Sequence, residues 1–197
     1  MATSLQEVGF EQQTQFVADE IETARLRLRM FTPEDLDALA AIAADPEVMR
    51  YIGPGNPLAR EEVESNLASI ISGFRRRGFG RWAVVKKDSG AMVGYCGLTH
   101  GNEEVGVEIA YMLARSEWGN GIASEAARAC LHYGFERLGL DSIAGLTRPD
   151  NLRSRRVMER AGMRYICDGH YYGYSCVCYS ISRDEWSPDG SIHRVTR

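Results

Sequence analysis

The sequence predicts an α+β fold: a mixed, mostly antiparallel central sheet of about seven strands with helices on both faces. Two observations carry this. Residues 81–113 contain three strand-period runs in succession with no helical pattern between them, which excludes a fully parallel, doubly wound sheet. Residues 114–181 then alternate between helical and strand periods, so part of the chain crosses over instead of turning back.

The elements follow in order. Residues 1–22 are polar, Gln-rich and without period, and read as a flexible tail before a single domain at 23–186; residues 187–197 read as a C-terminal tail. The first strand is the alternation Arg25-Leu26-Arg27-Leu28-Arg29-Met30. Thr32-Pro33-Glu34-Asp35 then supplies a capping residue, a proline at the first helical position and early acids, ahead of a helix through Leu36, Leu39 and Ile42. Asn56-Pro57 opens a second helix whose Val63, Leu67, Ile70 and Phe74 share a face, and Gly78 stops it. The strand runs 81–86, 92–100 and 104–113 are joined by turns at Asp88-Ser89-Gly90 and Gly101-Asn102.

A long helix at 121–138 pairs a polar face (Glu125, Arg128, His132, Glu136) with an apolar face of Ile122, Ala126 and Cys130, small enough to lie on a sheet. A strand at 142–147, a helix at 152–161 stopped by Gly162, and strands at 163–168 and 172–181 close the chain. The last strand, if exposed, offers an edge for a homodimer.

Composition limits the functional classes. A chain of 197 residues suits one domain with a full core. Its formal net charge of -4 argues against direct nucleic-acid binding, which needs a basic surface. No apolar run approaches the ~20 residues that span a bilayer, and residues 1–13 lack a secretory signal pattern, so the expectation is a cytoplasmic protein without membrane partners. The five cysteines are odd in number and lack ligand-like spacing, so they read as reduced structural thiols and no metal site is expected.

The chemistry concentrates at 105–127. Val107, Ile109, Tyr111 and Leu113 share one strand face, leaving Glu108 on the other with the small neighbours Gly106 and Ala110. A lone strand glutamate is more often a solvated side chain than a base. Here, however, the strand leads through Trp118-Gly119-Asn120-Gly121 into a helix, and the unpaired amides and dipole of such a helix start favour an anion. Asn151-Leu152-Arg153-Ser154 repeats a strand-to-helix junction, with Asn151 placed to cap the second helix.

These segments resemble the GNAT superfamily of N-acetyltransferases, in the branch that includes the ribosomal-protein N-terminal acetyltransferases. The matching stretches are ArgLeuArgLeuArg with its ThrPro turn, ValGluIleAlaTyrMetLeu, TrpGlyAsnGlyIleAlaSerGluAla, AsnLeuArgSerArgArgValMetGluArgAlaGlyMet and the closing AspGluTrp, covering most of the chain. One position departs: the superfamily's pyrophosphate loop opens on Gln or Arg, and Ser116 stands there, with Arg115 one place earlier as a substitute charge.

The resemblance implies acetyl-CoA as cosubstrate and no metal. Main chain at Tyr111, Met112 and Leu113 would pair with the pantetheine arm, and the amides of Trp118, Gly119, Asn120, Gly121, Ile122 and Ala123 would hold the pyrophosphate. Asn151 would bond the pantetheine, and Arg153, Arg155 and Arg156 are candidates for outer phosphates, against the plainer reading of a solvated helix face. Glu108 would act as general base and Ser154 would stand by the departing sulfur. Apart from the resemblance, strand position makes His100, Tyr171, Tyr172 and Tyr174 candidates to border the acceptor, against the plainer readings of an exposed edge histidine and ordinary strand aromatics. The implied activity is transfer of acetyl to a primary amine, either a protein N-terminal α-amine or a small molecule; a noncatalytic acyl-CoA-binding or sensing module of the same fold is the alternative.

Overall fold

The computed structural model describes residues 19–101, 104–188 and 194–196. In chain order its elements are β1 (Glu20–Glu22), β2 (Leu26–Arg29), a 3-10 turn (Pro33–Asp35), α1 (Leu36–Ala43), α2 (Pro46–Met49), α3 (Arg60–Arg77), β3 (Arg81–Lys86), β4 (Met92–His100) and β5 (Val107–Leu113). A second 3-10 turn (Arg115–Glu117) leads to α4 (Ile122–Glu136), β6 (Ser142–Thr147), α5 (Leu152–Arg160), β7 (Arg164–Tyr171), β8 (Tyr174–Ser182) and β9 (Arg194–Thr196). The strands form one sheet in the order β7-β8-β6-β5-β4-β3-β2-β1-β9.

Neighbouring strands are antiparallel except β5 and β6, which run parallel and pair at Glu108↔Ala144. The parallel contact follows from the α4 crossover, since parallel neighbours need a connection longer than a turn. One apolar cluster packs β-strand faces against α4 and α5; a second packs the opposite face against α1, α2 and α3. Trp82 is fully buried between Phe74 of α3 and Tyr133 of α4, with edge-on ring contacts at 5.1 and 5.0 Å.

Three differences from the sequence reading have local causes. The sheet has nine strands, because Glu20–Glu22 pairs with β2 and Arg194–Thr196 pairs with β1. Both segments fall within the expected tails, but Ile21 is fully buried and the Trp82 indole donates to Asp19 O at 3.0 Å. A three-residue strand is too short to show a period. The rest of the expected tails, residues 1–18, 189–193 and 197, lies outside the described residues, as does Asn102 of the second turn.

Secondly, α3 starts at Arg60, not at Asn56-Pro57, because the Glu62 carboxylate reaches back to accept the Ala59 N–H at 2.8 Å. Thirdly, the last long strand, β8, is interior, and β7 forms the edge beyond it. The edge expected for self-pairing is therefore covered.

Candidate active site

β5 and β6 diverge past Glu108, and the main chain of residues 109–113 borders the gap. A cleft of about 840 Å³ runs through this splay and is lined by side chains from both faces of the sheet. Glu108 stands at one end and the start of α4 at the other.

The α4 end is built for an anion. Gly119 and Gly121 hold left-handed φ values of 82° and 77°, which a side chain would strain. The first helical bond runs from Glu125 N to Gly121 O at 3.0 Å, so the amides of Ile122, Ala123 and Ser124 have no acceptor within the helix. A clamp fixes this corner. Glu125 accepts the Thr23 hydroxyl at 2.5 Å, the Arg25 amide at 3.0 Å and the Arg25 Nε at 2.6 Å. The same guanidinium donates from Nη1 to Asn120 O at 2.9 Å.

The clamp corrects the solvent-facing placement of Glu125, which is only 7% exposed. Burial raises its pKa, but the Thr23 and Arg25 donors outweigh that and hold it below the usual carboxylate value.

Trp118 plays a different part from the one its amide suggested. That amide donates to Arg115 O at 3.2 Å, so it is spent inside the 3-10 turn. The indole donates to Leu113 O at 3.1 Å, and the Arg153 guanidinium lies 4.9 Å over the ring. Trp118 is thus a wall at the end of β5. Asn120 stands outside the lining, its carbonyl held by Arg25, while Tyr111, Met112, Leu113, Gly119, Gly121, Ile122 and Ala123 all border the cleft. Arg153 and Arg156 border it too. Arg155 turns away to the Tyr179 hydroxyl at 3.2 Å and Pro149 O at 3.3 Å, and Arg115 and Ser116 lie outside.

α5 brings the second junction into the same space. Asn151 Oδ1 accepts the Ser154 N–H at 3.2 Å, a cap at the helix start. The Ser154 Oγ lies 2.8 Å from the Tyr111 hydroxyl, which also donates to Ser154 O at 3.1 Å. Burial pushes the Tyr111 phenol well above its ordinary value, so it stays neutral. Sequence spacing carried no sign of this pair, because Tyr111 and Ser154 are joined only by the splay.

At the other end Glu108 is half-buried and accepts the Tyr172 hydroxyl at 3.1 Å. Burial raises its pKa above the usual value; the Tyr172 hydroxyl and the Arg81 charge pull the other way without cancelling it. Tyr172 sits at φ 55°, unusual for a bulky side chain, at the tip of the β7–β8 turn. His100, Tyr171 and Tyr174 also border this end. Arg148, from the end of β6, lies 3.8 Å over the Tyr174 ring and donates to Gly53 O at 2.7 Å, tying the β6 side to the loop after α2.

A carboxyl group with raised pKa, a strand edge open to pairing and a set of free helix-start amides thus share one cleft. That arrangement can hold an acylated diphosphate and take a proton from a nucleophile. Among the described residues no group of His, Cys, Asp and Glu side chains is arranged to hold a metal ion.

Residues 25–164 match the family described as Acetyltransferase (GNAT) domain. YkkB of Bacillus subtilis (strain 168) is 38% identical over 151 residues, 73% of this chain and 84% of that protein. The N-acetyltransferase YoaA of the same organism is 30% identical over 145 residues, 73% and 82% of the two chains. A GNAT-family acetyltransferase from Bacillus anthracis superimposes with a TM-score of 0.74 at 26% identity, covering 84% of this chain and 99% of that one. The chain belongs to the GNAT family and is an acetyltransferase.

Proposed function

We propose that the protein moves an acetyl group from acetyl-CoA to a primary amine by direct attack, with Glu108 as the base that receives the amine proton. The observation that supports this most is that one cleft carries both the unpaired amides of α4 and the half-buried carboxyl of Glu108. Acetyl-CoA supplies a thioester carbon to which the amine adds; the carbon–sulfur bond then breaks, and the departing thiolate takes a proton from solvent to become the thiol.

The amides of Ile122, Ala123 and Ser124 receive the pyrophosphate, and residues 111–113 pair with the pantetheine arm like an added strand. Ser154 donates a hydrogen bond to the departing sulfur, which it does when the Tyr111 hydroxyl turns its one proton from Ser154 O to Ser154 Oγ. Its hydroxyl is oriented by Tyr111, whose raised pKa makes it a hydrogen-bond partner and not a ready proton source. Asn151 contributes by fixing the start of α5, which places Ser154.

The acceptor's acidity sets what Glu108 must do. Deprotonating a peptide N-terminal α-amine of pKa near 8 at pH 7 costs about 1 to 1.4 kcal/mol, against about 4.6 kcal/mol for a lysine side chain. A carboxylate whose pKa burial has raised toward that of the amine handles the first more readily. The test is thiol release from acetyl-CoA with a panel of small amines and peptide N-termini. Glu108→Gln is expected to lower turnover roughly 10²- to 10⁴-fold while acetyl-CoA affinity by calorimetry is kept. Unchanged turnover removes Glu108 from the mechanism, and an empty panel together with tight acetyl-CoA binding favours the sensing-module reading.

A further inference from the structure

The acceptor end contains a cation that the acetyl-transfer chemistry does not use. Arg81 opens β3 and borders the cleft, and its buried Nε has no hydrogen-bond partner among the described residues. Its guanidinium rests over the Tyr95 ring at 5.2 Å. A half-buried guanidinium whose main support is an aromatic face retains donors for an incoming anion.

Register places Arg81 beside the proposed base. Arg81 pairs with Gly97 and Gly97 pairs with Ala110, while in the adjoining row Thr99 pairs with Glu108. Cross-strand partners share a face, and so do residues two apart, so Arg81 and Glu108 rise from the same side of the sheet. Between them the floor is Gly97 and Ala110, almost bare of side chain. Gly97 cannot change: an added Cβ would overlap the Gly80 carbonyl oxygen. Two strands across and two residues along separates the two Cα atoms by roughly 12 Å. The long side chains close in from both ends, leaving room for a small molecule whose two functional groups lie a few bonds apart.

The surrounding charge agrees. Arg50 and Arg148 line the same cleft as Arg81, with the carboxylates of Glu47, Glu108 and Glu117. A polycationic amine would meet three guanidiniums there. An amine that carries its own anion would not.

Resting on the acetyl-transfer reading above, we propose that Arg81 is the receptor for an anionic group of the acceptor, and that the acceptor class is small amines bearing a carboxylate, held with the carboxylate on Arg81 and the amine toward Glu108. The pair of groups then reads both ends of a free amino acid, and the bare floor between them passes its backbone.

The experiment compares free amino acids with their own carboxamides as acceptors, following thiol release from acetyl-CoA. The carboxamide has the more acidic amine, so reactivity alone favours it. The proposal expects kcat/KM to favour the free acid by roughly 10- to 100-fold, mostly through KM. Arg81→Gln should bring that ratio toward one and Arg81→Lys should keep part of it. The ratio cancels any effect of the substitution on Glu108 itself. Carboxamides accepted as well as the acids in every pair, or an undiminished ratio in Arg81→Gln, overturn the proposal.

A second arm needs no turnover. N-acetyl amino acids and their carboxamides are titrated into the CoA-saturated wild-type protein, and equal affinities also overturn it. Loss of acetyl-CoA binding, or thiol release with no amine of any kind, counts instead against the acetyl-transfer reading and leaves this titration to decide the anion receptor.

Discussion

Glu108 shows how one residue can be poorly placed for stability and well placed for chemistry. Its environment favours the neutral acid, chiefly through burial, and the Tyr172 hydroxyl is the first group that opposes this. Removing that hydroxyl in Tyr172→Phe takes away a donor to the charged form, so the Glu108 pKa rises further. The acid limb of the kcat/KM profile should then move to higher pH, and a superimposable profile would show that Tyr172 does not govern the ionisation. The same environment bears on stability. A carboxyl whose folded pKa lies above its unfolded value, about 4.3, stabilises fully below that value and loses its contribution as pH rises through the folded one. At pH 7 Glu108 is therefore a net cost. Glu108→Gln is expected to melt at or above the wild-type temperature while losing turnover, and a lower melting temperature would mean that the carboxylate holds the fold.

At the scale of elements, the start of α4 depends on a strand entry almost a hundred residues earlier. Arg25 grips both Glu125 and the Asn120 carbonyl, which sets the direction of the loop whose amides face the cleft. Arg25→Ala should raise KM for acetyl-CoA more than it lowers kcat, since it loosens binding without touching the reacting atoms; equal kinetics would show that α4 holds its corner unaided. This clamp also marks where sequence reading stops. The glycine turn, the helix behind it and the position of Glu108 were legible because each rests on local spacing. Glu125 was not, because the helical period assigns it to the polar face and its partners Thr23 and Arg25 are remote in sequence. Arg81 reads as an ordinary strand residue until the registers of β3, β4 and β5 place it in the row next to Glu108. The three-residue strands β1 and β9 carry too few positions to show alternation.

Over the whole molecule, the segment around β2 is fastened to both helical layers through carboxylates. On one side Asp35, ahead of α1, takes two 2.7 Å bonds from Arg29 and the Thr32 amide at 2.9 Å. On the other, Glu125 of α4 takes the Thr23 and Arg25 donors. Burial raises both pKa values, yet these donors bring both below their ordinary range. A carboxyl with a depressed folded pKa stabilises above its unfolded value, near 4, and that contribution disappears as pH falls through the folded value. Wild-type stability should thus hold from pH 7 to about pH 5 and decline below about pH 4 as the two clamps protonate. Asp35→Asn with Glu125→Gln removes both titrations: the double variant should be less stable than wild type at pH 7, by roughly 3 kcal/mol or more from the buried donors left without a charged acceptor. Its stability should also fall less between pH 5 and pH 3. Urea unfolding at those pH values measures both. Parallel pH curves for the two proteins would place the acid-sensitive carboxylates elsewhere in the fold, because protonation at Asp35 and Glu125 can only affect a chain that still carries them.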